Sequence, residues 1–377
     1  MRLAYLSSRT NFYGGEVHLS QLAQGMRDRG HDVRCVVRPA SSLRRRLAAA
    51  AIPLELIRLV DWFEPLSVYR LRSWLALHHI EILHTHLPRD YFIAAVATAG
   101  TRVFNVGTRH QLHPISVPWA KRPFLRRFAA MIAVSEAVRG GLLASEVVDP
   151  DKVVTVHNGV AGDEPPVKGY GLRRAAKLTA DIPVVGYVGR LSPEKGLETL
   201  LAAIQRLRRS GRPSVHLFIV GDDPGDGSYA AKLRQLARDL DLQEVTHFFG
   251  YVENAARACI DFDVQVVCSL AEPFGLVTLE GMAMRRPVVA TRSGGSPEII
   301  RDGEDGFLVP PSDPVALAER LEALFAQPDL RRSIGLAARQ RVLESFSLEH
   351  MLVRTEAVYQ AVLTGGSPLM RKYAASG

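Results

Sequence analysis

Short apolar segments alternate with stretches of helical periodicity along the whole chain. Apolar runs of this kind predict buried strands, and the amphipathic stretches between them predict helices. In the first half the predicted strands cover 3–7, 33–37, 81–85, 103–108, 131–135 and 152–156. In the second half they cover 184–188, 216–220, 245–249, 264–268, 287–291 and 306–309. Because strands that alternate with helices are typical of parallel sheets, we predict an α/β protein.

A polar stretch between the two sets of strands, Ala161-Gly162-Asp163-Glu164-Pro165-Pro166, predicts a linker between domains. We predict a first domain over 1–163 and a second over 164–347, each a doubly wound, Rossmann-like parallel sheet. The last helical pattern, within about 348–377, is predicted to return to the first domain. The carboxyl ends of both sheets would then face a central cleft, the edge at which doubly wound sheets bind ligands.

The composition of the 377 residues, 47% apolar and 23% charged, is that of a soluble globular protein. The sequence contains no stretch near the roughly 18 consecutive apolar residues of a membrane span. Residues 1–8 predict a strand, not a secretory leader. Cys35, Cys259 and Cys268 are scattered, without the spacing of a metal site or a disulfide framework, so we predict a cytoplasmic protein.

Most of the net charge of +8 lies in the first part of the chain. Residues 1–165 hold 21 Lys and Arg against 14 Asp and Glu, whereas the remainder holds 26 against 25. Two basic clusters, Arg44–Arg46 and 121–128, contribute much of this excess. The second cluster also contains aromatic and apolar residues, which fits an interfacial membrane helix and equally a core-facing helix with a solvated basic side. Peripheral contact with an anionic membrane therefore stays open.

Two glutamates eight positions apart, Glu272 and Glu280, follow the predicted strand at 264–268. The first lies in a strand-to-helix turn and the second within a helix predicted over 275–286. Eight helical residues span roughly 12 Å, and the N–H groups of the first turn favour anionic groups. This arrangement suits a nucleotide-sugar donor. The alternative is an amphipathic helix with two solvated glutamates, which the small and apolar residues 281–284 disfavour.

A second candidate segment, Gly189 to Gly196, follows the predicted strand at 184–188. Arg190 leaves the end of that strand, and Lys195 lies on the first turn of a helix that Ser192 and Pro193 begin. Arg offers a planar fork for phosphate oxygens, and Lys offers a point charge. The alternative of two unrelated surface cations weakens when this segment is considered beside the two glutamates.

Paired glycines, Gly14 and Gly15, follow the first predicted strand and open a helix. Glycines at this position allow the backbone to approach a phosphate closely. The pattern is not the Gly-x-Gly-x-x-Gly fingerprint of dinucleotide binding, and no acidic residue ends the strand at 33–37. A nicotinamide dehydrogenase is therefore disfavoured.

Several histidines stand at the ends of predicted strands. The pair His84 and His86 lacks a third ligand in a tight cluster, so we predict no metal site there. His110 closes a strand on the cleft side and could stabilise developing charge or orient an acceptor hydroxyl. A structural role remains the alternative for the other histidines. Asp261-Phe262-Asp263 resembles the Asp-x-Asp pattern of metal-dependent sugar transferases, but it precedes a strand, so we interpret it as structural.

Taken together, these segments resemble the family 4 retaining glycosyltransferases of the two-domain B-type fold. The resemblance is collinear over nearly the whole chain, and its most specific parts are the Arg/Lys pair and the glutamate pair. The weaker matching segments are Gly14-Gly15, the strand ending at His110, Val134-Ser135-Glu136, Val156 to Val160, Val220-Gly221-Asp222, Phe249-Gly250-Tyr251 and Gly294-Gly295.

The resemblance implies a role for each matching position. Arg190 and Lys195 would bind the donor diphosphate, Glu280 the ribose hydroxyls and Glu272 the transferred sugar. His110 would lie beside the reacting carbon, so that His110, Glu272, Arg190 and Lys195 form the catalytic set. The remaining implied donor-binding residues are Gly14, Gly15, Gly189, Gly250, Tyr251, Phe274, Gly275 and Leu276.

The resemblance further implies a retaining, metal-independent transfer with no cofactor, from a UDP- or GDP-sugar to a bacterial-type glycan or lipid-linked acceptor. Polysaccharide or lipopolysaccharide biosynthesis, in the cytoplasm or at the inner face of the membrane, would be the setting. An epimerase or hydrolase acting on sugar nucleotides without an acceptor is the alternative on the same fold. Nucleic-acid binding is disfavoured, because the basic clusters lack stacking aromatics and any helix-turn-helix or RNP-like signature.

Overall fold

The computed structural model describes residues 1–11, 13–59, 64–119, 122–162, 168–211 and 214–365. The chain divides into two compact units. The first unit comprises Met1–Asn158 together with the chain from Leu348 on, and the second comprises Gly159–Ser347. Most of the proposed linker, 163–166, lies outside the described residues.

Each unit contains one parallel sheet. The first has seven strands: β1 (Arg2–Ser7), β2 (Asp32–Val37), β3 (Leu54–Leu56), β4 (Ile82–Thr85), β5 (Phe104–Arg109), β6 (Ala130–Ala133) and β7 (Val153–Thr155). The second has six: β8 (Val184–Val188), β9 (His216–Val220), β10 (Thr246–Gly250), β11 (Val264–Val267), β12 (Val288–Thr291) and β13 (Phe307–Val309). The predicted α/β fold with two doubly wound sheets is confirmed.

Helices connect the strands in both units. The first unit begins with α1 (Gly14–Asp28), α2 (Leu43–Ala49), α3 (Pro65–Leu77), α4 (Pro88–Ala97), α5 (Arg122–Leu125) and α6 (Glu136–Leu143). The second contains α7 (Leu172–Ala175), α8 (Leu197–Arg209), α9 (Ser228–Asp239), α10 (Ala255–Cys259), α11 (Leu276–Ala283), α12 (Ser296–Ile299), α13 (Pro314–Ala326) and α14 (Pro328–Ser345). The last helix, α15 (Leu348–Leu363), belongs to the first unit. Short 3₁₀ turns lie at Pro150–Lys152 and Pro193–Lys195.

Both faces of the first sheet are buried, which explains why its strands are continuous apolar runs. Leu3 and Tyr5 of β1 pack in the core that includes residues of α1 and α15. Leu6 faces the opposite side, in the core that includes residues of α3 and α4. The hydroxyl of Tyr359 on α15 lies 3.2 Å from that of Tyr5. Arg29 on α1 forms an ion pair with Glu356 on α15, with Nε and Oε2 2.7 Å apart.

The strand order reverses once in each sheet. The first sheet runs β3-β2-β1-β4-β5-β6-β7, so the chain extends to one edge and then returns to place β4 beside β1. The second sheet runs β10-β9-β8-β11-β12-β13, with its reversal between β8 and β11. Crevices form at the carboxyl ends of the strands where the order reverses, and ligands bind there in doubly wound folds.

Every one of the twelve predicted strands is present, with ends shifted by no more than two residues. The prediction missed β3, a three-residue edge strand whose residues are all half-buried. The predicted helix at 275–286 ends earlier, at Ala283. Arg285 then takes a positive φ of 58°, which ends the helical path before Pro287.

The basic segment at 121–128 packs largely inward. Leu125 and Phe128 are buried in a hydrophobic cluster, and the ring of Phe124 lies 4.9 Å from that of Phe92. Trp119 is 82% exposed. These contacts favour the core-facing interpretation of the segment, of which Lys121 lies outside the described residues. Among the described helices, none has the length and apolar character needed to cross a bilayer. Peripheral membrane contact stays a prediction.

Candidate active site

The turn after β8 lies at the reversal point of the second sheet. Arg190 follows Gly189 directly, and its half-exposed guanidinium lies 3.4 Å from Glu194. Lys195 ends the 3₁₀ turn Pro193–Lys195, just before α8, so the predicted helical turn at this position is a 3₁₀ turn. Two cationic side chains therefore leave the same strand end, as the sequence predicted.

The turn after β11 places Glu272 beside Lys195. The Nζ atom of Lys195 donates a hydrogen bond of 2.8 Å to Oε2 of Glu272, and the Ser269 hydroxyl donates another of 2.8 Å to the same oxygen. Only 16% of the Lys195 side chain and 9% of the Glu272 side chain are exposed. The fold thus pairs two residues that are 77 positions apart in the sequence.

Close packing of backbone against backbone holds these two turns together. The N–H of Leu270 donates to the carbonyl of Glu194 at 2.8 Å, and the thiol of Cys268 donates to the carbonyl of Lys195 at 3.1 Å. Gly196 has a φ of +65°, and a Cβ atom there would overlap the carbonyl oxygen of Cys268. Glycine is therefore required at this position both for conformation and for space.

A third turn, after β12, packs against the segment that carries Glu272. The N–H of Gly295 donates to the carbonyl of Glu272 at 2.9 Å. A Cβ atom at Gly295 would lie 2.8 Å from Cα of Phe274 and 2.9 Å from the carbonyl oxygen of Pro273. The glycine pair noted in the sequence thus allows this turn to lie directly on the segment that carries Glu272.

The N-terminus of α11 presents backbone donors beside Glu272. Gly275 is the N-cap, with φ +114°. The N–H groups of Gly275 and Leu276 make no hydrogen bond within the described residues, as expected for the first turn of a helix. These donors and the positive end of the helix dipole favour an anionic group at this position.

Glu280 lies one turn further along α11 and is half-buried. Burial raises the pKa of its carboxyl to about 7. The carboxyl makes no hydrogen bond or ion pair with any residue that the structure describes. A carboxyl in this state has all its acceptor positions available to hydroxyl donors of a ligand.

Gly250 and Tyr251 lie at the end of β10, two strands away from β8. Neighbouring strands lie about 4.8 Å apart, so the end of β10 is roughly 10 Å from the end of β8, which leads into the Lys195 turn. The carbonyl of Gly250 accepts a 2.7 Å hydrogen bond from the N–H of Gly221, and the Tyr251 side chain is 57% exposed. The arrangement leaves an exposed aromatic ring at the outer edge of the candidate site.

In the first unit, α1 begins with Gly14 and Gly15 at the carboxyl end of β1. Tyr13 is the N-cap, and its N–H donates to the Glu16 carboxylate at 3.1 Å. Neither Gly14 nor Gly15 makes an N–H hydrogen bond within the described residues. A Cβ atom built on Gly15 would meet nothing within 4 Å. The space above this helix start is open, as close approach of a ligand would require.

His110 lies directly after β5 and belongs to a cluster of imidazoles at the reversal point of the first sheet. Its ring centroid is 5.0 Å from that of His18 and 5.8 Å from that of His86. Burial lowers the pKa of His18 to about 4, and burial with the neighbouring imidazoles lowers the pKa values of His86 and His110 well below the usual range. All three rings are therefore neutral at pH 7.

Asp261 and Asp263 are structural, as predicted. A carboxylate oxygen of Asp261 accepts the backbone N–H groups of Gly171 and Leu172, at 3.1 and 3.2 Å. The Asp263 carboxylate accepts from the guanidinium of Arg173 at 2.6 Å and from the backbone N–H of Val184. Both carboxylates are thus engaged at the amino end of the second sheet.

Sequence reasoning missed two contributors. Ser269 positions Glu272, and a serine just after the strand that leads to Glu272 was the available signal. His18 belongs to a cluster with His86 and His110 that the sequence did not reveal. The pair His84 and His86 gains no third ligand within the described chain, whereas His86 lies beside His18 and His110, because α1 places His18 near the strand ends and no local spacing in the sequence reveals this.

Two family models match the chain, one in each half. Residues 12–164 match the model described as Glycosyltransferase Family 4, and residues 172–341 match the model described as Glycosyl transferases group 1. The chain is 30% identical over 401 aligned residues to alpha-maltose-1-phosphate synthase of Mycolicibacterium smegmatis, covering 96% of this chain and 100% of that protein. It is 32% identical to phosphatidyl-myo-inositol mannosyltransferase of Mycobacterium leprae, covering 94% of each.

Solved structures of similar fold include Anabaena HepE in complex with UDP and glucose. The two folds superpose with a TM-score of 0.84 over 96% of this chain and 100% of that one, at 22% sequence identity. At this identity the similarity establishes the fold.

Proposed function

The chain belongs to the family 4, group 1 glycosyltransferases of the B-type fold, and we propose that it moves a hexose from a nucleoside diphosphate sugar to a glycan or lipid-linked acceptor. We propose further that the transfer retains the anomeric configuration. UDP or GDP is the proposed leaving group. The name of one relative, a phosphatidyl-myo-inositol mannosyltransferase, supports a lipid-linked acceptor.

The observation that carries this proposal is the pairing of Lys195 with Glu272 beside the N-terminus of α11. The Lys195 ammonium has three donor positions and uses one of them on Glu272, so the others are available for diphosphate oxygens. Arg190 adds a second cation from the same turn. Charge that develops on the leaving diphosphate would be met by these cations and by the helix N-terminus. Glu272 would then accept a hydrogen bond from the transferred sugar.

The transfer step is proposed to need no metal or cofactor. Asp261 and Asp263, which have the Asp-x-Asp spacing of metal-dependent transferases and precede β11, are engaged in backbone and guanidinium contacts. Lys195, Arg190 and the α11 N-terminus supply the positive charge that a divalent cation would otherwise contribute near the diphosphate. Treatment of the enzyme with a strong chelator is expected not to lower the rate of transfer.

Glu280 is proposed to bind the ribose hydroxyls in its ionised form. Because its pKa is raised to about 7, donor affinity should increase as the pH rises towards that value and level off above it. Below pH 7 we expect affinity for the intact sugar nucleotide to fall by up to tenfold per pH unit. The Glu280→Gln variant should bind the donor more weakly at pH 8 and lose this pH dependence, as calorimetric titration from pH 5.5 to 8.5 would show. Equal pH profiles for both proteins would exclude this role.

The same carboxyl predicts a change in stability with pH. The folded-state pKa of about 7 exceeds the ordinary value of 4.5, so the folded protein binds more protons between these pH values than the unfolded chain. The contribution of Glu280 to the free energy of unfolding therefore falls as pH rises from 4.5 to 7, by on the order of 3 kcal/mol in total. The Glu280→Gln variant lacks this titrating group. Its melting temperature should therefore fall less between pH 5 and pH 8 than that of the unmodified protein does.

Gly14, Gly15 and His110 lie in the first unit, and their proposed roles rest on the family resemblance. The open space above Gly15 supports backbone contact with a phosphate group. The neutral ring of His110 supports hydrogen bonding to the reacting sugar instead of charge stabilisation by an imidazolium. Gly189, Gly250, Tyr251 and Phe274 complete the proposed donor-binding set, with Tyr251 near the base.

The Gly15→Ala variant separates folding from donor binding. The added methyl group would meet nothing within 4 Å, and alanine suits a helical position, so thermal stability should not decrease. The same methyl group would block close approach of a phosphate, and we expect KM for the donor to rise about tenfold or more with little change in melting temperature. The Gly140→Ala variant, in a helix of the same unit and also with open space around the glycine, is the matched control. An unchanged donor KM in Gly15→Ala would contradict the assignment.

A panel of UDP-, GDP- and ADP-sugars tested by thermal shift is the direct test of the donor class. The true donor should raise the melting temperature by mass action, whereas the other bases should not. Product analysis with that donor in the absence of an acceptor would detect an epimerase or a hydrolase. Failure of every sugar nucleotide to stabilise the protein would contradict the proposed function.

A further inference from the structure

Three histidines from separate segments meet at the carboxyl edge of the first sheet. His18 lies on α1, His86 directly follows β4, and His110 directly follows β5. One ring nitrogen from each lies within 4.8 Å of the corresponding nitrogens of the other two. Since β1 and β4 adjoin at the reversal of strand order, this cluster occupies the position where doubly wound sheets bind ligands.

Several ring nitrogens of this cluster make no hydrogen bond within the described part of the chain. Neither ring nitrogen of His18 or of His86 makes a hydrogen bond within the described residues, and the same holds for Nε2 of His110. His18 and His86 are 4% and 3% exposed. A buried polar atom without a partner costs free energy, so such atoms in a cluster suggest a missing ligand.

The fourth imidazole at this edge, His84, is not part of the cluster. Its Nδ1 lies 2.5 Å from the Tyr359 hydroxyl and its Nε2 lies 2.7 Å from the Thr108 hydroxyl, so both nitrogens are occupied. The ring of His84 instead stacks on that of His86 at a centroid distance of 4.3 Å. This contact restrains His86 and leaves His18, His86 and His110 as the group with unused nitrogens.

We propose that His18, His86 and His110 form a binding site for one divalent transition metal ion, with Zn²⁺ as the best match. Zinc accepts three imidazole nitrogens with a fourth position open, at about 2.0–2.1 Å from each nitrogen. His110 is less buried than His18 and His86, so we place the open position on its side of the site. Tetrahedral geometry at these bond lengths requires nitrogens roughly 3.3 Å apart, so the rings would move closer together from their present separation of up to 4.8 Å when the ion binds.

The site should bind zinc less tightly than a structural zinc site. Imidazole ligands in high-affinity sites donate their second N–H to a carboxylate or a carbonyl, and loss of such a partner typically costs 10- to 100-fold in affinity. The second nitrogens of His18 and His86 have no carboxylate or backbone carbonyl as partner in the described chain, and the side chain of Asn158 is the polar group that lies beside His18. Occupancy would therefore follow the metal concentration and would be reversed by chelators.

Titration of the full-length, chelator-treated protein with Zn²⁺ tests the proposal directly. Calorimetry should show one equivalent bound, and Co²⁺ as a probe should give the intense visible absorption of a tetrahedral site. The variants His18→Ala and His86→Ala should each reduce affinity at least tenfold. His113→Ala replaces an exposed histidine outside the cluster and should bind as the unmodified protein does.

The milder variant His110→Gln guards against misfolding, because this residue is less buried than the other two. Zn²⁺ should raise the melting temperature of the unmodified protein and of His113→Ala, but not that of His110→Gln. Absence of stoichiometric binding, or binding that survives in all three cluster variants, would overturn the proposal.

A consequence for activity rests on the proposed function. If His110 acts on the transferred sugar, Zn²⁺ bound to its ring should inhibit transfer at the concentrations that fill the site. Stoichiometric Zn²⁺ binding without inhibition would leave the metal site intact and contradict the role of His110. Inhibition without binding at the cluster would contradict the metal site and leave the proposed function untouched.

Discussion

Replacement of Lys195 with alanine is expected to lower kcat/KM for sugar transfer by about 10²- to 10³-fold, because it removes a preorganised donor at the leaving diphosphate. The fold should persist, since Lys195 lies in a turn whose backbone contacts do not depend on its side chain. The variant leaves Glu272 with Ser269 as its hydrogen-bond partner, which should cost about 1–3 kcal/mol of stability. Steady-state kinetics together with thermal denaturation would separate the two effects.

The matched control for this variant is Lys232→Ala. Lys232 also forms an ion pair with a glutamate of the second unit, Glu198, at 3.1 Å, but its side chain is 65% exposed and lies on α9. Exposed pairs contribute little to stability, so both activity and melting temperature should remain near those of the unmodified protein. A Lys195→Ala enzyme that turns over as fast as Lys232→Ala would contradict the role assigned to Lys195.

The Glu272→Gln variant is expected to lower kcat/KM by about 10²-fold. The amide keeps the shape of the side chain and its oxygen can still accept from Lys195 and Ser269, but the negative charge that strengthens the bond to the Lys195 ammonium is removed. Hydrogen bonding to the transferred sugar weakens for the same reason, and Lys195 is oriented less tightly. Rates measured at saturating and limiting donor would show the effect in both kcat and kcat/KM.

A double-mutant cycle checks that Lys195 and Glu272 act as one unit. Because the two side chains are in direct contact, the losses in the Lys195→Ala/Glu272→Gln enzyme should be clearly smaller than the product of the two single losses. Glu198→Gln, in a glutamate that pairs with Lys232 and accepts from Tyr229, is the control outside the site. Fully independent effects of Lys195 and Glu272 would show that the pair seen in the structure is irrelevant to transfer.

Much of the fold was predictable because both faces of each sheet are covered. Strands such as Val184–Val188 are then buried at every position, and an uninterrupted apolar run is a strong signal. The edge strand Leu54–Leu56 has no such signal, since its three residues are all half-buried and a glutamate stands at its centre. Strand order was not predictable, because pairing β4 with β1 depends on contacts far apart in the sequence.

The candidate site was predictable to the extent that it follows from strand ends. Arg190, Lys195 and Glu272 each come shortly after a buried strand, and the carboxyl ends of parallel strands share one edge of the sheet. The direct bond between Lys195 and Glu272 was not predictable, since it requires β8 to lie beside β11. His18 was missed for a similar reason, because a lone histidine on a helix gives no local sign of the strand ends above which it lies.

The central claim is that this chain transfers a sugar from a nucleoside diphosphate donor to an acceptor. Its most direct test is release of nucleoside diphosphate from the donor identified by thermal shift, measured with and without an acceptor panel that includes phosphatidylinositol and simple sugar phosphates. We predict release that depends on the acceptor, a product of the corresponding mass, and loss of both in Lys195→Ala and Glu272→Gln. Release that is independent of every acceptor, or equal turnover in both variants and the unmodified protein, would contradict the claim.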